Sequence, residues 1–149
     1  MAAAAWSFYD SFREYLGTAN MDLSGTSDGF YMALHTSAAS ANVNTATLTA
    51  QSEIGNECAN GNGYATGGAS VTSITWAAGA SAGVFRWDST AVVWTATGGT
   101  IANVKYAVIY RASGDKLVCF SKLTTSQFTL ADANTLTVTP SSSGIFELT

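Results

Sequence analysis

Charge is scarce in this sequence. Asp, Glu, Lys and Arg make up 11% of 149 residues, against roughly 25% in ordinary soluble domains. Six cations and ten carboxylates leave a net charge of −4. The cations are Arg13, Arg86, Lys105, Arg111, Lys116 and Lys122, mostly scattered singly. Gripping a nucleic-acid backbone takes a basic stripe facing several phosphates, so the expectation is no nucleic acid. Histidine occurs once, at His35, and one histidine cannot make a His-based metal site. Cys58 and Cys119 lie far apart with no CxxC spacing. They read as reduced thiols, Cys119 in the core, although a bond between them is sterically open. No apolar run approaches the ~18 residues of a membrane-spanning helix, so no membrane is expected. The start, Met-Ala-Ala-Ala-Ala-Trp, has no positive n-region and no sustained apolar h-region. That predicts a chain made and used, at least first, in a cytoplasm.

What is present is apolar surface, 47% of the residues, enough for a real core in one domain spanning residues 1–149. Ala, Ser, Thr and Gly take the place of charge. A lone soluble protein usually carries more charge to stay dispersed. Either other subunits cover much of this surface, or it is a plain Thr/Ser-rich β surface. The organising stretch is residues 100–122. Two β-prone runs flank Ala112-Ser113-Gly114-Asp115, a hairpin connection in which Gly tolerates positive φ and the Asp carboxylate can hold its own backbone. One arm places Val104, Tyr106, Val108 and Tyr110 on one face and Ala107 and Ile109 on the other; the second sets Leu117 and Cys119 against Val118 and Phe120. Both faces are apolar, which predicts central strands covered on both sides.

Residues 5–16 read as a helix with Trp6, Tyr9, Phe12 and Leu16 near helical spacing, Phe8 and Tyr15 beside them, and Gly17 as C-cap. Its aromatics either plug one end of the β body, residues 21–149, or dock on a neighbour; Trp6, Phe8, Tyr9 and Phe12 are therefore interface candidates. Short strands follow at Met21–Leu23, Phe30–His35, 69–77, 83–87, 91–95, 128–130, 136–138 and 145–148. Residues 36–63, rich in Ser, Ala, Asn and Gly, read as a surface excursion with little core of its own and a weak strand at 45–49. Gly61 to Gly68 reads as a loop into the next strand, or as a tight turn projecting Tyr64, a fifth interface candidate. Pro140 falls just past a strand, where its missing N–H does no harm. This pattern predicts a mainly β fold: an antiparallel β-sandwich or jelly roll with one short N-terminal helix.

Catalytic patterns are thin. Gly25-Thr26-Ser27-Asp28-Gly29 matches G-x-S-x-G, but that elbow needs a strand-to-helix turn in a parallel sheet, and Phe30-Tyr31-Met32 after it reads as a strand. His35 reads as a hydrogen-bonded structural histidine. Glu53 and Glu57, like Asp10 and Glu14, are four apart and read as solvated charge. No P-loop, EF-hand loop or sequon is present. No catalytic residue, metal or cofactor is expected. The four tryptophans, Trp6, Trp76, Trp87 and Trp94, raise a sugar-stacking platform, but Trp76 and Trp94 alternate with core-type residues, which favours burial.

Several phrases, in order along nearly the whole chain, resemble a family of small tailed-bacteriophage virion proteins. They are Phe12-Arg13-Glu14-Tyr15-Leu16 with Met21-Asp22-Leu23, Gly29 through Ser37, and Glu57 with Gly61 through Gly68. Asp88 through Thr95, Ala102 through Tyr110 and Gly144 through Thr149 complete the set. The resemblance implies a non-enzymatic structural role in the virion, assembled in the host cytoplasm. It suggests a capsid cement or decoration protein that binds neighbouring major capsid subunits or other virion subunits, as a dimer or trimer of its own. A tail-fibre or head-surface adhesin that binds glycans is the alternative; capsid surface, neck and tail all stay open.

Overall fold

The computed structural model describes residues 5–25 and 29–149. In chain order it contains β1 (Ser7–Phe8), α1 (Asp10–Gly17), β2 (Phe30–Thr36), α2 (Ser40–Val43), β3 (Ala69–Val71), β4 (Thr75–Ala78) and β5 (Phe85–Asp88). β6 (Val92–Thr95), β7 (Ile101–Arg111), β8 (Lys116–Lys122), β9 (Phe128–Leu130), β10 (Thr135–Val138) and β11 (Phe146–Leu148) follow. Single 3-10 turns lie at Ser37–Ala39 and Gln51–Glu53. The fold is mainly β, antiparallel and sandwich-like.

The hairpin β7–β8 is the spine. The large sheet runs β1-β8-β7-β2-β3, with β9 pairing the early part of β7. Its two faces bury different partners. On one face Phe30, Met32, Leu34, Ala107, Ile109 and Cys119 join Trp87, Trp94, Leu136 and Phe146 in one core cluster. Those partners come from two small sheets, β10-β6 and β11-β5-β4. On the other face Ala33, Tyr106, Val108, Tyr110 and Leu117 pack with Tyr9, Val43 and Ile54. The central strands are therefore covered on both sides, as their apolar alternation requires.

The second cover corrects the expectation for residues 36–63. Val43 and Ile54 are fully buried, so the excursion is a core layer in its own right. Its apolar residues are spaced too widely for a periodic signal, and they act through tight turns. The weak strand expected at 45–49 does not form, and α2 supplies a second short helix. Met21–Leu23 also forms no strand.

Other differences have local causes. The helix begins at Asp10 rather than residue 5, because Ser7–Phe8 pairs with Cys119–Phe120 as an edge strand. Gly17 is the last helical residue, and Ala19 takes the positive φ of 54°. The run 69–77 splits into β3 and β4 around Ser73, whose φ is 52°. In β8 the pairing shifts between Ile109 and Tyr110, so that Ile109 faces Cys119 and Tyr110 faces Leu117. Val118 is the extra residue of this bulge, which puts Leu117 and Cys119 on opposite faces. The Asp115 carboxylate does not hold its own turn; it accepts the Ser52 N–H at 3.0 Å, and the Asp115 carbonyl accepts the Gln51 N–H at 3.0 Å. The hairpin tip is thus tied to the excursion.

Ile54→Ala tests that second core layer. Truncating a buried branched side chain costs about 2–5 kcal/mol, whereas an exposed loop residue costs within about 0.5 kcal/mol. Urea unfolding should give the larger loss.

Candidate functional site

Two features stand out: a part-buried polar clasp and an apolar seam that runs out to the surface. The clasp centres on Glu57. The segment 56–58 lies beside β2, with the Thr36 N–H donating to Asn56 O at 3.0 Å and the Cys58 N–H to Leu34 O at 2.8 Å. This brings Glu57 opposite His35. One carboxylate oxygen accepts the Tyr64 hydroxyl and the Gly67 N–H, each at 2.6 Å. The other accepts the Gln51 amide at 3.2 Å. The Tyr64 hydroxyl in turn accepts the Leu34 N–H at 3.0 Å, and the Tyr110 hydroxyl donates to Gly67 O at 2.8 Å.

The same Gln51 amide reaches His35 Nε2 at 3.4 Å, while His35 Nδ1 lies 2.9 Å from Gly55 O. These partners assign the proton to Nδ1 and leave Nε2 as acceptor. Burial pushes the imidazole below its usual value of 6.5; the Gly55 carbonyl and Glu57 carboxylate pull the other way. Burial also pushes the Tyr64 hydroxyl well up, helped by Glu57, and the Cys58 thiol up to about 12. The backbone needs the approach: a Cβ on Gly68, at φ 79°, would stand 2.0 Å from Met32 O.

Chemically the clasp is a closed set of donors and acceptors. His35 is fully buried, and neither His35 nor Glu57 lines either of the two grooves described below. His35 thus takes the hydrogen-bonded structural position its sequence context suggested. Glu57 departs from the solvated reading, whereas Glu53 keeps it: exposed, it accepts the Thr49 and Ala50 N–H groups at 2.8 Å. Cys58 and Cys119 are free and buried. No cluster of three metal-ligating side chains occurs among the described residues. Ser27 lies outside the described residues.

The seam is aromatic. Phe12 stacks on Phe8 at 5.4 Å, Phe8 meets Phe146 edge-on at 4.8 Å, and Phe146 meets Trp87 at 5.2 Å. Trp76 continues it and stacks on Phe85 at 5.8 Å. Register explains the direction. Trp76, Trp87 and Phe146 share one row across β4, β5 and β11, and Ala78, Phe85 and Leu148 share a second row two residues away. Both rows therefore lie on one face. In the first row Trp87 and Phe146 are buried and Trp76 is half-buried, but in the second Phe85 is 47% exposed and Leu148 37%. Arg86, Asp88 and Glu147 occupy the opposite face, with Arg86 and Asp88 3.9 Å apart. Grooves flank this overhang. One of about 480 Å³ lies between Trp6 and Phe8 on one side and Ile145–Glu147 on the other. The second, about 300 Å³, is lined by Leu16, Met21, Leu23, Trp76 and Leu148.

The five interface candidates divide. Trp6 and Phe8 are half-buried at the first groove. Tyr9, Phe12 and Tyr64 are buried at 0%, 1% and 2%, so a partner docking on the folded chain does not reach them. Tyr9 fails because its hydroxyl turns inward to Val43 O at 3.1 Å, and Tyr64 because the Gly61–Tyr64 turn points its ring at Glu57. Phe85 and Leu148 were missed as surface residues, because strand alternation assigns them to the core face. Only the register shows that the face overruns the core. Of the four tryptophans, Trp87 and Trp94 are buried and Trp6 and Trp76 are half-buried, so no two of Trp76, Trp87 and Trp94 are exposed together.

Comparison with protein-family models, curated proteins and solved structures found no match.

The clasp predicts a pH response. The unfolded chain takes a proton on histidine below about pH 6.5, and the folded chain resists it. Stability should be fully present above that value and fall as pH drops below it, towards the lowered folded value. Urea midpoints at about pH 7.5 and 5.5 should diverge in the wild type and diverge less in His35→Gln. Tyr64→Phe strands the Leu34 N–H and removes a donor from Glu57, at a cost of about 1–3 kcal/mol.

Proposed function

We propose that this chain is a structural protein of a tailed-phage particle, a cement or decoration protein that binds neighbouring shell subunits by shape. The observation that carries the reading is the apolar face of β4, β5 and β11, which leaves the core at Phe85 and Leu148 and is flanked by grooves at Trp6 and Trp76. Large apolar groups rimmed by polar ones mark contact surfaces on soluble proteins. The low charge of the chain suits a body covered by neighbours, and the resemblance of its ordered phrases to small virion proteins points the same way. The role assigns no catalysis. Binding uses a stiff acceptor surface, and the clasp and the two-sided sheet supply stiffness.

Quantitative mass spectrometry of purified particles tests the role. A copy number comparable to the major shell subunit is expected. A handful of copies would move the assignment to a tail adhesin, and absence from the particle would overturn it. Phe85→Asp, which also gives up the stacking on Trp76, should lower the melting temperature modestly, keep the native far-UV circular dichroism spectrum and lower shell occupancy. The expected loss is about 2 kcal/mol per site, roughly thirtyfold in affinity.

A further inference from the structure

The outer edge of β4 points to a partner of definite chemistry. Among the described residues β4 is paired on one side only, with β5. The Gly79 N–H donates to Val84 O at 2.8 Å, which fixes the alternation: Thr75 and Ala77 bond towards β5, and the N–H and C=O groups of Trp76 and Ala78 face outward. A row of outward backbone donors and acceptors at strand spacing is satisfied by another extended strand.

The other sheet edges are short or guarded. β1 has two residues, β3 and β9 have three, and β11 has three and carries Glu147. β6 is flanked at its ends, where the Thr97 N–H reaches Asn62 O at 3.1 Å and the Thr90 N–H reaches Thr72 O at 3.1 Å. β10 runs towards Pro140, which stops pairing. β4, Thr-Trp-Ala-Ala, has no charge, proline or bulge.

We propose that the Thr75–Ala78 edge pairs with the same edge of a second copy, antiparallel about a two-fold axis at Ala77. In that register Trp76 of each copy exchanges both backbone hydrogen bonds with Ala78 of the other. Ala77 then meets its own symmetry mate in the close, non-hydrogen-bonded pairing, at a Cα separation of about 4.5 Å. That position accepts a small side chain, and alanine occupies it. No charge opposes itself across the axis, since β4 has none. The two β11-β5-β4 sheets become one sheet of six strands, and the two overhangs bearing Phe85 and Leu148 lie on the same face. A pairing about 13 Å long is small beside the roughly 800 Å² per partner of a standard interface. The contact is therefore weak in dilute solution and takes effect where copies are already held side by side. Its use, clamping copies on a shell, rests on the reading above; the pairing itself is tested without a shell.

Ala77→Cys reads the register directly. Under mild oxidation it should form a disulfide-linked dimer at least about tenfold faster than Val93→Cys, because pairing raises the local thiol concentration. Val93 is a fair control: it is 51% exposed on another strand, and the native Cys58 and Cys119 are buried. Sedimentation equilibrium should show reversible dimers in the wild type near about 1 mM, the range that tethering supplies, and monomer in Ala77→Lys at the same concentration. Equal cross-linking rates, a monomeric wild type near that concentration, or dimers that survive Ala77→Lys would each overturn the proposal.

Discussion

A half-buried carboxylate gathers donors from separate parts of the chain, and those around Glu57 come from the 51–53 turn and the 61–68 loop. Gln51 arrives from a 3-10 turn, Tyr64 from the Gly61–Tyr64 turn, and Gly67 from the approach to β3. Leu34 and His35 of β2 close the set from the sheet. Leaving any of these groups unpaired in the interior costs more than the bond itself contributes. The segments therefore settle together or not at all. The same stretch of chain carries Val43 and Ile54, which are fully buried against the sheet.

With that layer in place, the hairpin of β7 and β8 is sealed on both faces. The two faces are closed by different means: small strand pairs and aromatic packing on one, turns and a polar clasp on the other. The aromatic side is where the molecule is incomplete. Its apolar face continues past Trp87 and Phe146 to Phe85 and Leu148, which stay partly exposed. The contact role proposed above rests on this half-exposed apolar row, and the low charge of the chain suits recognition by shape.

Much of the framework was legible in the residues. Alternating apolar positions on both faces of 104–110 required cover on each side, and the Ser-Gly-Asp break at 113–115 gave the hairpin. Most of the short strands from residue 83 onward fall where β-branched and aromatic residues cluster. What was not legible depended on non-local pairing. The bulge at Val118 breaks a period that composition alone cannot break. Tyr64 sits in a glycine-rich loop, and only the distant Glu57 and Leu34 turn it inward. Phe85 and Leu148 carry the pattern of buried residues and are surface residues, because register rather than alternation decides where a core ends. Sequence spacing also suggested two paired solvated acids in Glu53 and Glu57, yet one caps an exposed turn and the other, half-buried, accepts from Gln51, Tyr64 and Gly67.

The central claim is that residues 51–68 belong to the same cooperative unit as the hairpin. Native-state hydrogen exchange tests it at two amides, Leu34 and Gly67, whose N–H groups are donated into the clasp. Both should exchange through global unfolding, with the same free energy and denaturant dependence as Ile109 and Cys119 in the spine. Exchange of Gly67 at a free energy near zero, while Ile109 stays protected, would show a loop moving over a finished core and would contradict the account.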